Sequence, residues 1–337
     1  MHKTAFPLAA AAILLLSSTT LAAPSVVAST KPVHSLVASV MGDAGTPTLL
    51  VKGSASPHDY ALRPSDAAAL ESADLVFWTG PGFEMFLSDA LKTLSTGAEI
   101  VTLSETEGLS LLPMREGGAF EAHAHDHEAH DQSDDHRHEG AHDHEDHEDH
   151  DHAHEHEHAH EHHAPEGQAD MHFWLDPENA VLMVSRIEQV LVAADPENAA
   201  AYAANAETTR ADLSALEAEI AAILDPVGTK PFIVFHDAYQ YFEARFGLSL
   251  AGTVTVSPEA MPGASRIDEL RAKVSELGAT CVFAEPNFQP AIVNTIVEGT
   301  DARVGTLDPE ASALSEGPGL YAELLRGLAT SIAECLN

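Results

Sequence analysis

The stretch PFIVFHDAYQYF, residues 231–242, decides the fold of this chain. Its first half is a continuous apolar run, which is typical of a strand buried on both faces of a parallel sheet. The chain then continues as a helical stretch from residue 237 to residue 246. A buried strand that leads directly into a helix predicts an α/β sheet of parallel strands alternating with helices.

The same unit recurs in two blocks. Short apolar runs predict strands at 25–29, 48–51, 74–78 and 99–103 in the first block and at 231–235, 250–254, 280–284 and 303–307 in the second. Helical stretches separate them at 31–42, 65–72 and 82–94, and then at 237–246, 264–277, 288–298 and 319–335. We therefore expect two α/β lobes with mainly parallel sheets.

A long helical region, 177–224, lies between the blocks and is broken near Asp195. Asp176 suits the N-cap position, and Pro177 suits the first helical position. A helix over 177–194 would be about 27 Å long and would act as a rigid backbone helix between the lobes. The predicted division is an N-terminal lobe (24–175), the backbone helix (176–195) and a C-terminal lobe (196–337).

The N-terminus has the features of a secretory signal peptide covering residues 1–23. The apolar run from Leu8 to Leu16 is far shorter than the roughly 20 residues that span a bilayer, and small residues follow it. No cysteine stands near the cleavage site to carry a lipid. We expect a soluble, exported mature protein.

The chain has 2 cysteines, Cys281 and Cys335. An even number of cysteines in an oxidising compartment favours a disulfide, which here would fasten the C-terminal helix to the body of the protein. The alternative is a pair of buried, reduced cysteines.

An acidic, histidine-rich tract runs from Glu121 to His163 and contains 17 of the 22 histidines and 16 carboxylates. The net charge of the chain is −37, which excludes nucleic acid as a natural partner. The tract lacks apolar residues, so we expect a disordered loop over 119–168. Imidazoles at spacings of two or three offer several weak, interchangeable metal sites. Those expected to capture metal include His147, His150, His152, His154, His156, His158 and His160. A tag-like artefact and a charged linker are the alternatives.

Outside the tract and the signal peptide only four histidines remain. His58 and His236 each follow a predicted strand, and His172 precedes the backbone helix. Ligands of α/β proteins collect at the carboxyl ends of strands, so these three could converge in a cleft. Three neutral imidazoles and an oxygen ligand suit Zn²⁺, although each alone could be a structural histidine. We assign His34 to the surface of the first helix.

Seven segments together resemble a known family, the cluster of metal-binding proteins that deliver zinc or manganese to ABC importers. They are VASTKPVHSLVASV (27–40), SPHDYALRPSD (56–66), ADLVFWTGPGFE (73–84), MHFWLDPENA (171–180), FIVFHDAYQYFEARFGL (232–248), CVFAEPNFQP (281–290) and GTLDP (305–309). The likeness covers most of the mature chain and is greatest to the zinc-specific periplasmic members.

The resemblance implies two lobes joined by a rigid backbone helix, with the metal held between them. It implies ligand roles for His58, His172 and His236, and a fourth ligand at Asp308. Some zinc-specific relatives instead have Glu just before the first histidine, where this chain has Pro57. The fourth ligand is therefore open among Asp308, a water molecule and a histidine of the tract.

The expected function is that of a periplasmic, monomeric protein that is not an enzyme. It would bind Zn²⁺ as cargo and pass it to the membrane permease of an ABC importer with a cytoplasmic ATPase. The rivals are a periplasmic zinc buffer, a manganese importer component and a zinc hydrolase. The hydrolase would need a base near a metal-bound water, for which Asp59, Asp237 and Glu285 are the candidates.

Overall fold

Two four-stranded parallel sheets organise the molecule. A computed structural model describes residues 23–115, 169–255, 262–278, 280–286, 288 and 290–337. The strands of the N-terminal sheet are β1 Val26–Ala28, β2 Thr48–Leu49, β3 Leu75–Trp78 and β4 Glu99–Thr102, in the order β2-β1-β3-β4. The strands of the C-terminal sheet are β5 Pro231–His236, β6 Ser249–Thr255, β7 Cys281–Ala284 and β8 Arg303–Thr306, in the order β6-β5-β7-β8. All pairings between these eight strands are parallel, which confirms the predicted fold class.

The helices of the described residues also follow the prediction. They are α1 Lys31–Met41, α2 Pro64–Glu71, α3 Leu87–Leu94, α4 Pro177–Ala194, α5 Ala199–Leu224, α6 Gln240–Phe246, α7 Ala264–Leu277, α8 Pro290–Val297 and α9 Leu320–Leu336. Helix α3 begins five residues later than the predicted start at 82. The reason is Glu84, whose carboxylate accepts hydrogen bonds from the backbone N–H groups of Thr79 and Gly80 and so folds this segment into turns.

Each sheet has an outer core of its own. The residues of β1, β3, β5 and β7 alternate between the two faces of their sheets, as successive strand residues must. On the N-terminal sheet Val27 and Val76 pack outward against α2 and α3. On the C-terminal sheet Ile233 and Val282 pack outward against α7 and α8. Each outer face is therefore covered by its own pair of helices.

The inner faces of both sheets share one large core. Ala28 and Phe77 of the N-terminal sheet belong to the same buried cluster as Val234 and Phe283 of the C-terminal sheet. Helices α1, α4, α5 and α9 fill the space between, and they pack on one another. The predicted backbone helix, α4, is therefore one element of a layer of four helices rather than an isolated link between the lobes.

The backbone helix begins and ends at the residues that the sequence indicates. The Asp176 carboxylate accepts a hydrogen bond of 2.9 Å from the backbone N–H of Glu178, as an N-cap does. Helix α4 ends at Ala194, and the carboxylate of Asp195 then closes the turn into α5. It accepts hydrogen bonds of 2.7 Å from Asn198 Nδ2 and from the hydroxyl of Tyr202.

A disulfide between Cys281 and Cys335 joins β7 to α9, which confirms the predicted pairing. Within the ranges described above, no helix has the length and apolar character needed to cross a membrane. The proposed signal peptide, except for Ala23, and the histidine-rich loop at 119–168 lie outside the described residues.

Candidate metal centre

His58 lies in a 3-10 turn, Pro57–Asp59, that follows β2. The hydroxyl of Ser56 accepts a hydrogen bond of 3.2 Å from the backbone N–H of His58 and so fixes the start of the turn. The His58 ring packs edge-on against Phe83, with ring centroids 4.6 Å apart. Its side chain is 20% exposed, so it is the candidate ligand nearest to solvent.

His172 lies just before α4 and is held by Asp170. Oδ1 of Asp170 is 2.8 Å from Nδ1 of the His172 ring and accepts a second hydrogen bond, of 2.9 Å, from the backbone N–H of His172. The opposite ring nitrogen, Nε2, is buried and has no hydrogen-bond partner among the described residues. A buried polar atom without a partner is costly, so Nε2 of His172 is a nitrogen that a metal ion would satisfy.

His236 is the last residue of β5, and Glu285 holds it in the same way. Oε1 of Glu285, directly after β7, is 2.7 Å from Nδ1 of the His236 ring. The hydroxyl of Tyr239 donates to the same carboxylate oxygen at 3.3 Å. Carboxylates in this position orient metal-binding imidazoles and raise their basicity. The sequence made Glu285 a candidate catalytic base, whereas the structure places it behind the imidazole.

The three histidines converge on one point. His58, His172 and His236 can each present a ligand atom such that all three atoms lie within 4.8 Å of one another. The centroid of the His172 ring is 5.6 Å from that of His58 and 5.4 Å from that of His236. Phe83 contacts the His172 ring edge-on and Trp174 contacts it in a tilted orientation. In both pairs the ring centroids are 5.3 Å apart. The donor set is therefore three imidazoles against an aromatic wall, which suits Zn²⁺.

Burial keeps the inner imidazole neutral. It lowers the pKa of His172 well below its ordinary value, and the nearby His236 lowers this pKa further. Burial also raises the pKa of Asp170 to about 7, against the opposing hydrogen bond from the His172 backbone. A neutral imidazole is the form that binds metal, so the His172 ring is in the state that can bind a metal cation.

The structure does not bring Asp308 into this group. Both oxygens of its carboxylate accept hydrogen bonds of 3.0 Å from the backbone and side chain of Ser312 and from the backbone of Ala313. Another carboxylate of the same loop, Glu310, faces His58, and its Oε1 is 3.4 Å from the ring Nε2. The assignment of Asp308 as fourth ligand stays a prediction.

The assignment of His34 to the helix surface was wrong. His34 is only 5% exposed, and its Nε2 donates a hydrogen bond of 3.1 Å to the carbonyl of Pro47. The physical reason is that α1 lies inside the helical layer between the two sheets, so that it is buried on most of its surface. Burial lowers the pKa of His34, as expected for a structural, neutral imidazole.

Two groups at the centre were not predicted from the sequence. Asp170 stands two residues before His172, and this short spacing was the available signal for a carboxylate that holds the ring. Glu310 stands two residues after Asp308, so a second carboxylate just past β8 was the signal there. Asp237, considered above as a catalytic base, instead forms a bidentate ion pair with Arg115.

Comparison with known proteins gives one consistent result. The model of the family "ZnuA: Zinc-uptake complex component A periplasmic" matches residues 26–335. The high-affinity zinc uptake system protein ZnuA of Brucella suis biovar 1 is 51% identical over 319 residues, which cover 93% of this chain and 91% of that protein. The protein of the same name from Paracoccus denitrificans is 41% identical over 315 residues, covering 93% and 92%.

A solved structure, described as the crystal structure of ZnuA, has the same fold. It superposes with a TM-score of 0.71 at 24% sequence identity and covers 94% of this chain and 100% of that one. On the family match and the sequence relatives together, this chain belongs to the family of periplasmic zinc-uptake complex component A, ZnuA.

Proposed function

We propose that this chain is the zinc-binding component of an ABC importer in the periplasm. It captures Zn²⁺ between its two lobes with His58, His172 and His236 and delivers the ion to the membrane permease, which a cytoplasmic ATPase drives. The observation that carries the proposal is that one ligand atom from each of the three imidazoles lies within 4.8 Å of the other two. The family is one of transport components rather than enzymes, and the names of the relatives concern zinc uptake.

The donor set supports zinc over manganese. Imidazole nitrogens suit Zn²⁺, whereas Mn²⁺ prefers a larger share of oxygen ligands. Glu285 and Asp170 hold the two buried rings from behind, so both rings are oriented before metal arrives. Such preorganisation reduces the cost of binding and favours a single tight site.

The remaining parts of the proposal concern residues outside the centre. The predicted signal peptide would export the chain, and the mature protein would act as a monomer with lobes at 24–175 and 196–337 and a backbone helix at 176–195. The histidines of the tract, including His154 and His156, would gather Zn²⁺ in weak sites and raise its supply to the cleft. Asp308 stays a candidate for the fourth ligand.

Calorimetry with a competing chelator tests this division of roles. The proteins are the intact mature chain, a chain lacking 121–163 and a variant with His58, His172 and His236 changed to Ala. A matched control replaces three histidines of the tract, His154, His156 and His158, with Ala. We expect the truncated chain and the control to keep one tight site and the triple variant to lose it. Tight binding that follows the tract would instead indicate a zinc buffer.

A further inference from the structure

We propose that Arg115 is a positioning residue of the metal centre, which holds His236 in register with the N-terminal lobe. This inference rests on the proposed function, because it needs the three histidines to bind the ion. Arg115 lies between β4 and α4 in the chain, and its guanidinium pairs with the carboxylates of Asp237 and Glu243. Asp237 directly follows His236, so the ion pair lies one residue from a candidate ligand.

The guanidinium contacts its two carboxylates as a planar fork. Nε of Arg115 donates to Oδ2 of Asp237 at 3.1 Å, and Nη2 donates to Oδ1 of the same carboxylate. The third nitrogen, Nη1, donates to Oε2 of Glu243 at 2.6 Å. Glu243 is itself fixed, because its Oε1 accepts a hydrogen bond of 3.1 Å from the backbone N–H of Leu250 in β6. A bidentate arginine–carboxylate pair is restricted in orientation, so the fork fixes both the direction and the distance of the Asp237 side chain.

These ion pairs are shielded from solvent. The side chains of Arg115, Asp237 and Glu243 are 20%, 15% and 18% exposed. Exposed ion pairs contribute little, because water screens them and two long side chains must be ordered. Removing one partner of a shielded pair instead leaves the other charge without compensation. The position of Asp237 therefore depends on Arg115.

The ion pairs belong to a junction between the two sides of the centre. The backbone N–H of Leu112, in the same segment as Arg115, donates to the hydroxyl of Tyr241 in α6 at 2.8 Å. That hydroxyl donates in turn to the carbonyl of Asp170 at 2.6 Å. The helix that follows one buried histidine is therefore fastened to the segment that precedes the other.

Each buried histidine is oriented by a carboxylate of its own lobe. Asp170 holds His172 within one short segment of the N-terminal lobe. Glu285 holds His236 between two neighbouring strands of the C-terminal sheet. Neither carboxylate fixes the separation of the two rings, whose centroids are 5.4 Å apart. A contact across the lobes is needed for that, and Arg115 supplies one directly beside the end of β5.

A zinc site tolerates little change in the separation of its ligands. Zinc binds nitrogen and oxygen at about 2.0–2.2 Å in a tetrahedral arrangement, so its ligand atoms lie at most about 3.6 Å apart. The ligand atoms of the three histidines lie within 4.8 Å of one another, so a small closure completes the site. Supporting residues must hold ligands to within about 0.5 Å for such a site to form readily. A looser junction would let the two rings separate and would speed the release of the ion.

The test uses the full-length mature protein and compares Arg115→Gln and Arg115→Lys with the triple histidine variant. Zinc affinity is measured by chelator competition, the release rate by stopped-flow transfer to a chelator, and the ligand geometry by the visible absorption of bound Co²⁺. We expect Arg115→Gln to lose about tenfold or more in zinc affinity, through faster release, and to alter the Co²⁺ spectrum. Arg115→Lys keeps the charge without the fork, so it should recover only part of the affinity.

Arg210→Gln is the matched control. Arg210 forms a partly exposed ion pair with Glu188 at 2.6 Å, but this pair joins α5 to α4 rather than the segments that carry the histidines. The control should keep the zinc affinity and the Co²⁺ spectrum of the unmodified protein. Asp237→Asn disrupts the proposed contact from its other side. Combined with Arg115→Gln, it should cost little more affinity than either change alone, because both remove the same contact.

The outcomes separate this inference from the proposed function. Unchanged affinity, release rate and Co²⁺ spectrum in Arg115→Gln would overturn the positioning role, and the proposed function would stand if the triple histidine variant lost its tight site. A gain in affinity would also overturn the role, because it would mean that the arginine keeps Asp237 from binding the ion. An equal loss in Arg210→Gln would overturn it as well. Tight binding in the triple histidine variant would overturn both proposals. Thermal unfolding shows whether each variant is folded, and if Arg115→Gln is not, Arg115→Lys and Asp237→Asn provide the same comparison.

Discussion

The two sheets have the same strand order, yet only one of them carries a candidate metal ligand at the end of a central strand. In each sheet the two central strands, β1 and β3 or β5 and β7, end side by side. Ligand sites of α/β proteins form at such ends. In both sheets a buried carboxylate lies at this position and accepts hydrogen bonds from a strand end or from the residues just past it.

In the N-terminal sheet the carboxylate is that of Glu84. It accepts hydrogen bonds from the hydroxyl of Ser29, just past β1, and from the backbone N–H groups of Thr79 and Gly80, just past β3. Its residue has no exposed surface. Every partner of this carboxylate is part of the fold itself, so its role is to fasten the two strand ends together.

In the C-terminal sheet the carboxylate is that of Glu285, and its main partner is the ring of His236. The N-terminal sheet contributes its candidate ligand, His58, from a turn beyond β2 instead. Buried carboxylates past the central strands thus hold two strand ends together in one sheet and a histidine of the candidate metal centre in the other. The difference teaches that the partner of a strand-end carboxylate, rather than its place in the topology, decides its function.

The disulfide is attached to the C-terminal sheet only, and its removal should give the largest effect on stability. Cys281 and Cys335 are 54 residues apart in sequence, so the disulfide should contribute about 4 kcal/mol by restricting the unfolded chain. We expect a double Cys→Ala variant to lose about that much in urea unfolding. Hydrogen exchange should rise in β7 and α9 more than in β3.

Reduced, unmodified protein is the matched control and should behave like the double variant. Equal increases of exchange in both sheets would contradict the comparison, because they would mean that the disulfide supports the common core rather than the C-terminal sheet.

The same substitution in the two carboxylates should separate their roles. Glu285→Gln removes the charge behind His236 and should weaken zinc binding by about tenfold or more, with little change in stability. Glu84→Gln places an amide N–H₂ group among N–H and O–H donors. It should cost about 1–3 kcal/mol in unfolding free energy and leave zinc affinity nearly unchanged.

Chelator competition and urea unfolding of both variants check this prediction. The distinction fails if Glu84→Gln weakens zinc binding as strongly as Glu285→Gln does, or if Glu285→Gln destabilises the fold without changing zinc affinity.

The smallest expected effect concerns the helical layer that both sheets share. The hydrogen bond from Asn198 lowers the pKa of Asp195 below its ordinary value, and the hydrogen bond from Tyr202 acts in the same direction, against the effect of burial. A carboxyl group with a lowered folded-state pKa stabilises the protein above its unfolded pKa, about 3.8, and this contribution is lost as pH falls through the folded pKa.

We therefore expect Asp195→Asn to cost about 1 kcal/mol at pH 6. The difference from the unmodified protein should shrink as the pH is lowered below about 4. Urea unfolding between pH 3 and pH 6 measures it, and hydrogen exchange should show both sheets affected alike. A difference that stays constant over this range would show that the ionised form of Asp195 is not what matters.

The regular elements and the three imidazoles could be predicted from the sequence because they depend on local patterns. Apolar runs followed by helical stretches located the strands and helices, and the position of His236 at the end of a strand pointed to the centre. The burial of His34 and the facing of Glu310 toward His58 could not be predicted. Both depend on how α1 and the loop after β8 pack against distant parts of the chain.

The joining of α1 to the segment before α9 has a consequence for the order in which the molecule folds. The hydroxyl of Ser35 accepts a hydrogen bond from the backbone N–H of Tyr321, 286 residues later, and donates one to the carbonyl of Pro318. The common core includes apolar residues of both α1 and α9. The first helix therefore finds its final partner only when the last helix has been synthesised. The final step of folding thus waits for the synthesis of α9, and it is slow because contacts of such long sequence separation close slowly.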